Sequence, residues 1–343
     1  MKALMMHAVR GPLNVEEVAD PDCPTDGVVI EVEACGVCRS DHHTWTGGDA
    51  VAMPHIMGHE FAGVVSEVGR DCALSVGQRI TAPFILACGT CADCAAGHPT
   101  ICATQYCPGF HGPGAFAERL AIRAADFNAV ALPDAVGFDI AAALGCRVTT
   151  AWRALVDRAA LAPGEWVAIH GCGGVGLSAL LIAKALGARV VGIDPTPAAR
   201  DMARALGADH VLEPGEAAAV HDLTGGGAHV SIDALGIAAT FEASLRSLRK
   251  LGRQVQVGMP TGAHETVPLP LLELVYARQL SLHGMRGLGA AEFPALLALI
   301  ETGQLDLAPL IVDRIALSDV QRVFERMDSF AGAGVHIVTR FDA

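Results

Sequence analysis

The sequence predicts an α/β protein in two units: a doubly wound parallel sheet covered by helices, joined to a second, irregular and mostly β unit. Three observations predict it. From Glu165 to Met259 strand-like and helix-like runs alternate, the pattern that builds a parallel sheet with crossover helices. Before Glu165 short β-like runs are separated by Gly, Pro and Asp instead. The 343 residues are 52% hydrophobic and only 18% charged, enough for about two domains with sizeable cores and too apolar for a disordered chain.

In chain order, Val28 to Ala34, Ala62 to Val68 and Arg79 to Pro83 read as the short strands of the first unit. Trp166-Val167-Ala168-Ile169-His170 reads as a buried strand because it is continuously apolar. A glycine turn follows, then a helical stretch, LSALLIAKALGA, that stops at Gly187. The run ARVVGI, Ala188 to Ile193, forms the next strand and leads into Asp194. Helical patterns at Ala198 to Leu206 and Thr240 to Leu251 then alternate with strands at His229 to Leu235 and Arg253 to Met259. There is no internal repeat, low-complexity tract or long Gly/Ser linker, which implies a tight interface between the two units.

Composition also excludes partners. A formal net charge of −13 with no Lys/Arg block repels phosphate backbones, so neither nucleic acid nor an anionic membrane surface is expected. Trp166 to Ala183 lacks Asp, Glu, Lys and Arg over a length that flags membrane spans, yet His170 and four glycines interrupt it, so it reads as strand, turn and buried helix. The N-terminal MKALMMHAVRGP has too short an apolar run for a secretory signal, with His7 and Arg10 inside it. A cytoplasmic location is expected.

Eleven cysteines in such a chain point to metal or catalysis rather than disulfides. Cys88, Cys91, Cys94 and Cys102 stand as C-x2-C-x2-C-x7-C in a Gly/Ala-rich segment, where four thiolates can close a tetrahedron around one Zn2+ and leave no open position, as structural sites do. Four ordinary thiols, an iron–sulfur cluster or a zinc-stabilised nucleic-acid module are the alternatives, the last opposed by the absence of a basic face. A second constellation is dispersed: Cys38 in CGVCRSDHH, His59 in GHE, 21 residues later, and Cys146 in LGCRVTTAW. Two thiolates and an imidazole leave the fourth position open, as catalytic zinc requires. Taken singly, each of these residues is more often packing than a ligand.

The glycine turn carries Gly171-x-Gly173-x-x-Gly176, with Gly174 and Val175 inside it, directly before a helix. Such a loop lets the backbone approach a pyrophosphate that the helix N-terminus stabilises. Asp194, 18 residues after Gly176, stands where a carboxylate accepts bonds from the adenosine ribose hydroxyls and repels a 2′-phosphate, which favours NAD over NADP. Arg200 is the next basic residue along. Helix capping is the competing role for Asp194.

Taken together, CGVCRSD, GHEFAGVV, the four-cysteine loop, Cys146, GCGGVGL and Asp194 resemble the zinc-dependent medium-chain alcohol dehydrogenases, in the family's order and spacings and over nearly the whole chain. The resemblance implies a GroES-like catalytic domain over 1–147 and 289–343, a Rossmann domain over 148–288, and an active site in the cleft between them. It implies two Zn2+ per chain, a catalytic one on Cys38, His59 and Cys146 and a structural one on Cys88, Cys91, Cys94 and Cys102. It makes Glu60 a carboxylate able to approach the catalytic metal, Asp41 the carboxylate that orients a ligand imidazole, Ser40 the hydroxyl that takes the substrate proton, and His43 the outer end of a relay to solvent. Thr150 and Val175 match positions packing on the nicotinamide, and Gly258 and Arg286 fall where later strands reach the cofactor; His42, Cys35 and Cys172 match no essential role.

The implied reaction is hydride transfer between NAD(H) and a primary or secondary alcohol or its aldehyde or ketone, a small-molecule substrate, in a homo-oligomer, dimer or tetramer. Polyol, amino-alcohol and formaldehyde dehydrogenases of the superfamily are the enzymatic alternatives, and a zinc-binding protein that keeps the fold without activity is the non-enzymatic one. Trp45 and Trp152 stand near the relay and nicotinamide positions and read equally as pocket lining or as packing.

Overall fold

The computed structural model describes residues 1–329 and 333–341. Its second half is a six-stranded parallel sheet. Strands run, edge to edge, His210–Leu212, Arg189–Ile193, Trp166–His170, Ala228–Asp233, Leu248–Gln256 and Ser281–Gly284, which is the order 3-2-1-4-5-6. Trp166–His170 is buried throughout, as a continuously apolar central strand must be. In this order the chain reverses direction across the sheet beside that strand, which opens a crevice at its carboxyl end.

The first half carries an antiparallel sheet built on the long strand Val28–Val37, which pairs with Glu60–Val68 and Arg119–Ile122. The last strands of the chain, Ile311–Ala316 and Val335–Arg340, return to this sheet: Val335–Arg340 lies antiparallel to Val28–Val37. A small sheet of Leu13–Glu17, Lys2–Met6 and His55–Ile56 lies beside it. One apolar core runs from Ala34 and Ala62 of the antiparallel sheet, through Leu144, Val148 and Leu155, to Val167, Ile169 and Leu180 beneath the parallel one, so the two halves share packing rather than a linker.

Two element boundaries shift furthest from expectation. The helix expected to reach Leu251 covers Ala238–Arg246, and the strand expected from Arg253 already begins at Leu248. Leu245 and Leu248 are both fully buried in one cluster with Leu274 and Leu280, so the chain turns as soon as that apolar face is spent. The uncharged stretch from Trp166 divides into the strand and the helix Gly174–Ala185, and among the described residues no helix is long and apolar enough to cross a membrane.

Candidate active site

Val28–Val37 delivers Cys38 to the N-cap of a short helix, Arg39–Trp45. Asp41, fully buried in that helix, reaches back to accept the Cys38 N–H at 2.9 Å and across to accept the Gly58 N–H at 3.1 Å. The same carboxylate binds Nδ1 of His59 at 2.9 Å. That bond fixes the imidazole and points Nε2 the other way, where it is buried and has no partner. Cys146 comes from a single π-helical turn, Leu144–Val148, a distortion that recurs at functional sites. Ligand atoms of Cys38, His59, Glu60 and Cys146 all lie within 4.8 Å of one another.

An unpartnered imidazole nitrogen facing two thiols, its other nitrogen held by a carboxylate, is the donor set of a zinc ligand triad with its orienting group. The residues present therefore fit the metal. Of the two thiols Cys38 leans towards ligation: a hydrogen bond from Cys146, with His59 beside it and against the effect of burial, holds the Cys38 thiol well below its ordinary value, while the same contact and burial push the Cys146 thiol well above its own. Aromatic rings close the space over His59, Phe110 at 5.0 Å and Phe84 at 5.9 Å between ring centroids. Cys107, buried against Phe84 and Ile85, belongs to the same wall.

Ser40 Oγ lies 3.2 Å from the Cys38 sulfur. His43 follows one helical turn later on the same face, half-buried. Burial, then the nearby Arg39 charge, pushes its pKa below the ordinary histidine value, while Asp49 and Cys38 oppose the shift. His42 faces elsewhere, binding Asp328 through Nε2 at 3.0 Å. Trp45 is a core residue, 4% exposed, with its indole N–H donated to the Gly11 carbonyl at 3.0 Å and its ring against Phe324. Trp152 packs in the shared core.

Arg147 is the residue that sequence reading missed. Its guanidinium is buried in an ion pair with Glu60, whose carboxyl burial pushes up to about 7 while Arg147 pulls it back. A lone arginine after a cysteine has no periodicity or spacing to mark it. Only the fold brings positions 60 and 147 together.

The four cysteines of the second cluster close on one another. Sγ atoms of Cys91 and Cys94 are 3.5 Å apart, those of Cys88 and Cys102 3.6 Å, and those of Cys91 and Cys102 3.9 Å. These are far beyond a disulfide bond of about 2.0 Å and near the edge of about 3.8 Å of a tetrahedron with metal–sulfur bonds of about 2.3 Å. N–H groups of Thr90 and Cys91 point at the Cys88 sulfur and lower its pKa to about 5. Arg153 fastens this loop to the rest, donating to Thr100 Oγ1 at 2.5 Å and to the Arg286 carbonyl at 3.3 Å.

At the carboxyl end of Trp166–His170, Gly171 has φ +100° and donates to the Ile193 carbonyl at 2.8 Å. Gly173 is the N-cap of Gly174–Ala185, and a side chain on Gly176 would overlap the Gly171 carbonyl oxygen, so the loop folds this tightly only with glycine there. Asp194 accepts the Cys172 N–H and the Thr196 N–H, both at 2.8 Å; the N-cap of the following helix is Thr196, not Asp194. Arg200 is turned to the carbonyls of Asp194 and Pro195, at 2.7 and 2.9 Å, and to Glu213. Gly258 lies against the backbone of Leu235 and Gly236, where a Cβ would collide. Exposed Arg286 points to the Cys107 sulfur at 3.5 Å, with its guanidinium 5.6 Å from the Phe84 ring centroid. Thr150 is buried one turn after Cys146, and Val175 is the second residue of the loop helix. A cavity of about 310 Å³ lies beside this crevice between His170, Ile193, Glu213, Val220 and Ala239.

Comparison with known proteins gives the same two halves. Residues 24–134 match the alcohol dehydrogenase GroES-like domain and residues 174–302 the zinc-binding dehydrogenase domain. An alcohol dehydrogenase from Geobacillus stearothermophilus is 35% identical over 338 residues, 95% of this chain and 96% of the relative. The structure of the alcohol dehydrogenase TADH from Thermus sp. ATN1 superposes with a TM-score of 0.92 at 28% identity, over 99% of this chain and 100% of that one. A zinc-binding dehydrogenase from Sinorhizobium meliloti bound to NADP superposes at 0.87 with 27% identity, over 98% of each chain.

Proposed function

The chain belongs to the zinc-dependent medium-chain alcohol dehydrogenases and is a zinc-dependent alcohol oxidoreductase, and we propose that it interconverts a small primary or secondary alcohol and its aldehyde or ketone with NAD(H), at a site made of Cys38, His59 and Cys146. The observation that carries this reading is the buried, unpartnered Nε2 of His59 facing two thiols. When bound, zinc supplies a Lewis acid for the substrate oxygen and the nicotinamide supplies the hydride carrier.

The chain's own groups do the rest. Asp41 holds His59 in the tautomer that leaves Nε2 free as a ligand. Ser40 Oγ, beside the Cys38 sulfur, takes the substrate proton, and neutral His43 carries it towards solvent. Phe84 and Phe110 keep bulk water from the reacting atoms. Backbone N–H groups at the start of Gly174–Ala185, with Gly171, Gly173 and Gly176 making the approach possible, hold the pyrophosphate. Asp194 takes the ribose hydroxyls, and its charge disfavours a 2′-phosphate. Arg200 is engaged by Glu213 and two carbonyls, which supports NAD over NADP. Thr150 and Val175 support the nicotinamide, Gly258 gives the cofactor a close backbone approach, and Arg286, turned to Cys107 and Phe84, is assigned to the pyrophosphate with solvation as its alternative.

A second zinc, structural, belongs to Cys88, Cys91, Cys94 and Cys102. We divide the chain into a catalytic unit of 1–147 and 289–343 and a Rossmann unit of 148–288, supported by the return of the last two strands to Val28–Val37. The reading extends to a cytoplasmic homo-oligomer. The edge strand Ser281–Gly284 and the exposed Leu271, Leu272 and Tyr276 just before it support self-association. Elemental analysis together with NADH absorbance across a panel of alcohols tests the proposal. About two zinc ions per chain and NAD-dependent turnover are expected, while one zinc, iron instead of zinc, or no turnover with any alcohol refutes it.

A further inference from the structure

Arg147 sits where three chain segments meet. Its Nε and its backbone N–H donate to Oε1 of Glu60 at 3.0 and 3.1 Å, and its Nη2 donates to Oε2 of the same carboxylate and to the Val37 carbonyl at 2.9 Å. Each partner abuts a ligand of the catalytic metal: Val37 precedes Cys38, Glu60 follows His59, and Arg147 itself follows Cys146. The side chain is 3% exposed and its partner fully buried. Its stem also supports the glycine loop, because a Cβ on Gly174 would lie 3.2 Å from Arg147 Cδ.

A carboxylate oxygen of Glu60 lies within 4.8 Å of the ligand atoms of Cys38, His59 and Cys146. Two thiolates neutralise a divalent metal, so the Glu60 charge is balanced only by Arg147. Deprived of it, Glu60 would be a buried, unpaired anion, a costly state, with the metal as its nearest cation. Four protein ligands make a closed site, and a substrate oxygen would then have to displace a carboxylate.

We propose that Arg147 is a positioning residue that keeps the Glu60 carboxylate committed to itself and so leaves the fourth position of the catalytic metal free for substrate. The inference rests on the assignment of Cys38, His59 and Cys146 as ligands. The bidentate, charge-assisted contact is what does this, since a point charge would hold only one oxygen.

The test uses full-length enzyme carrying Co2+ in place of zinc, titrated with imidazole as an added ligand for the open position and followed by visible absorption. Wild type, Arg147→Met, Arg147→Lys and the double variant Arg147→Met/Glu60→Gln are compared. Arg147→Met is expected to show an altered spectrum before any imidazole is added, to need at least about tenfold more imidazole, and to raise KM for alcohol by a similar factor, as losses around a ligand shell do. Arg147→Lys should fall between it and wild type. The double variant should return towards wild-type imidazole affinity, because the competing carboxylate is gone.

A purely structural staple predicts the opposite, a double variant no better than the single one. That result, or imidazole affinity unchanged in Arg147→Met, overturns the inference. Should Arg147→Met not fold, Arg147→Lys decides: an unchanged titration there overturns it equally. Wild type whose cobalt spectrum does not respond to imidazole overturns the ligand assignment itself and the inference with it, whereas a responsive wild type with indifferent Arg147 variants overturns the inference alone.

Discussion

At the scale of single residues, side chains that point at something are held from behind. Asp194 is aimed by two N–H groups, those of Cys172 and Thr196. Replacing it by Ala removes the charge and also frees the glycine loop, so Asp194→Asn is the cleaner variant. It is expected to lose kcat/KM with NAD and gain it with NADP, by roughly one to a few kcal/mol in total for lost charge-assisted bonds and relieved repulsion. An unchanged cofactor ratio returns Asp194 to loop-holding alone. His43 gives a pH prediction. Burial and Arg39 lower its pKa, against Asp49 and Cys38, so the neutral, proton-accepting form persists below the ordinary value near 6.5. Single-turnover alcohol oxidation should fall only as pH drops below that value, and His43→Gln should flatten the fall; matching profiles would remove His43 from the relay. The four-cysteine loop and the glycine loop were legible because their spacing is local, whereas Cys38, His59 and Cys146 are dispersed and came together as ligands through the family resemblance. Arg147 was not legible, because its meaning is a contact with Glu60 that only the fold creates. Trp45 and Trp152 stood near functional positions in sequence, yet both are packed into cores.

At the scale of elements, two tight segments carry most of the site's demand on sequence. In the glycine loop, Gly176→Ala places a methyl on the Gly171 carbonyl, and backbone rather than a flexible side chain must give way. Loss of NADH binding by fluorescence titration and a lower Tm are expected together; tight NADH binding by the alanine variant would mean that the loop relaxes without cost. In the cysteine loop, Cys91→Ser should release one zinc and destabilise the loop, since binding energy at a closed site doubles as folding energy. His59→Ala should instead abolish turnover and leave most of the fold. Circular dichroism melting and metal content distinguish them, and variants that behave alike would leave the structural and catalytic labels without support. Element edges were less legible than element types. The helix of Ala238–Arg246 reads too long in sequence because Ser247 to Leu251 continues its apolar rhythm, and tertiary burial of Leu248 decides the boundary.

At the scale of the whole molecule, the alternation of strands and helices foretold the parallel sheet, and the absence of a long Gly/Ser linker foretold the shared core. The return of Val335–Arg340 to Val28–Val37 has no local signal in the residues themselves; it came only with the family resemblance, because pairing across some 300 residues leaves no mark on either strand. One buried group makes the central strand sensitive to acid. His170 ends Trp166–His170, is 4% exposed, and shares a bond of 3.1 Å with Ser247 Oγ. Burial pushes its pKa down to about 4. The unfolded chain takes up this proton near pH 6.5 and the native state only near 4, so between those values the unfolded state binds more protons and stability falls as pH falls. Above about 6.5 the group costs nothing; at about pH 4 the loss is nearly complete, about 3 kcal/mol for a pKa that drops from about 6.5 to about 4 on folding. Urea unfolding of wild type and His170→Gln at pH 7.5 and 4.5 isolates this contribution, because any packing penalty of the substitution is present at both values. The variant is expected to lose less stability on acidification than wild type, by most of that amount. Parallel losses would mean that His170 is relieved of its proton demand by local opening, and that the acid sensitivity of the sheet lies in other groups.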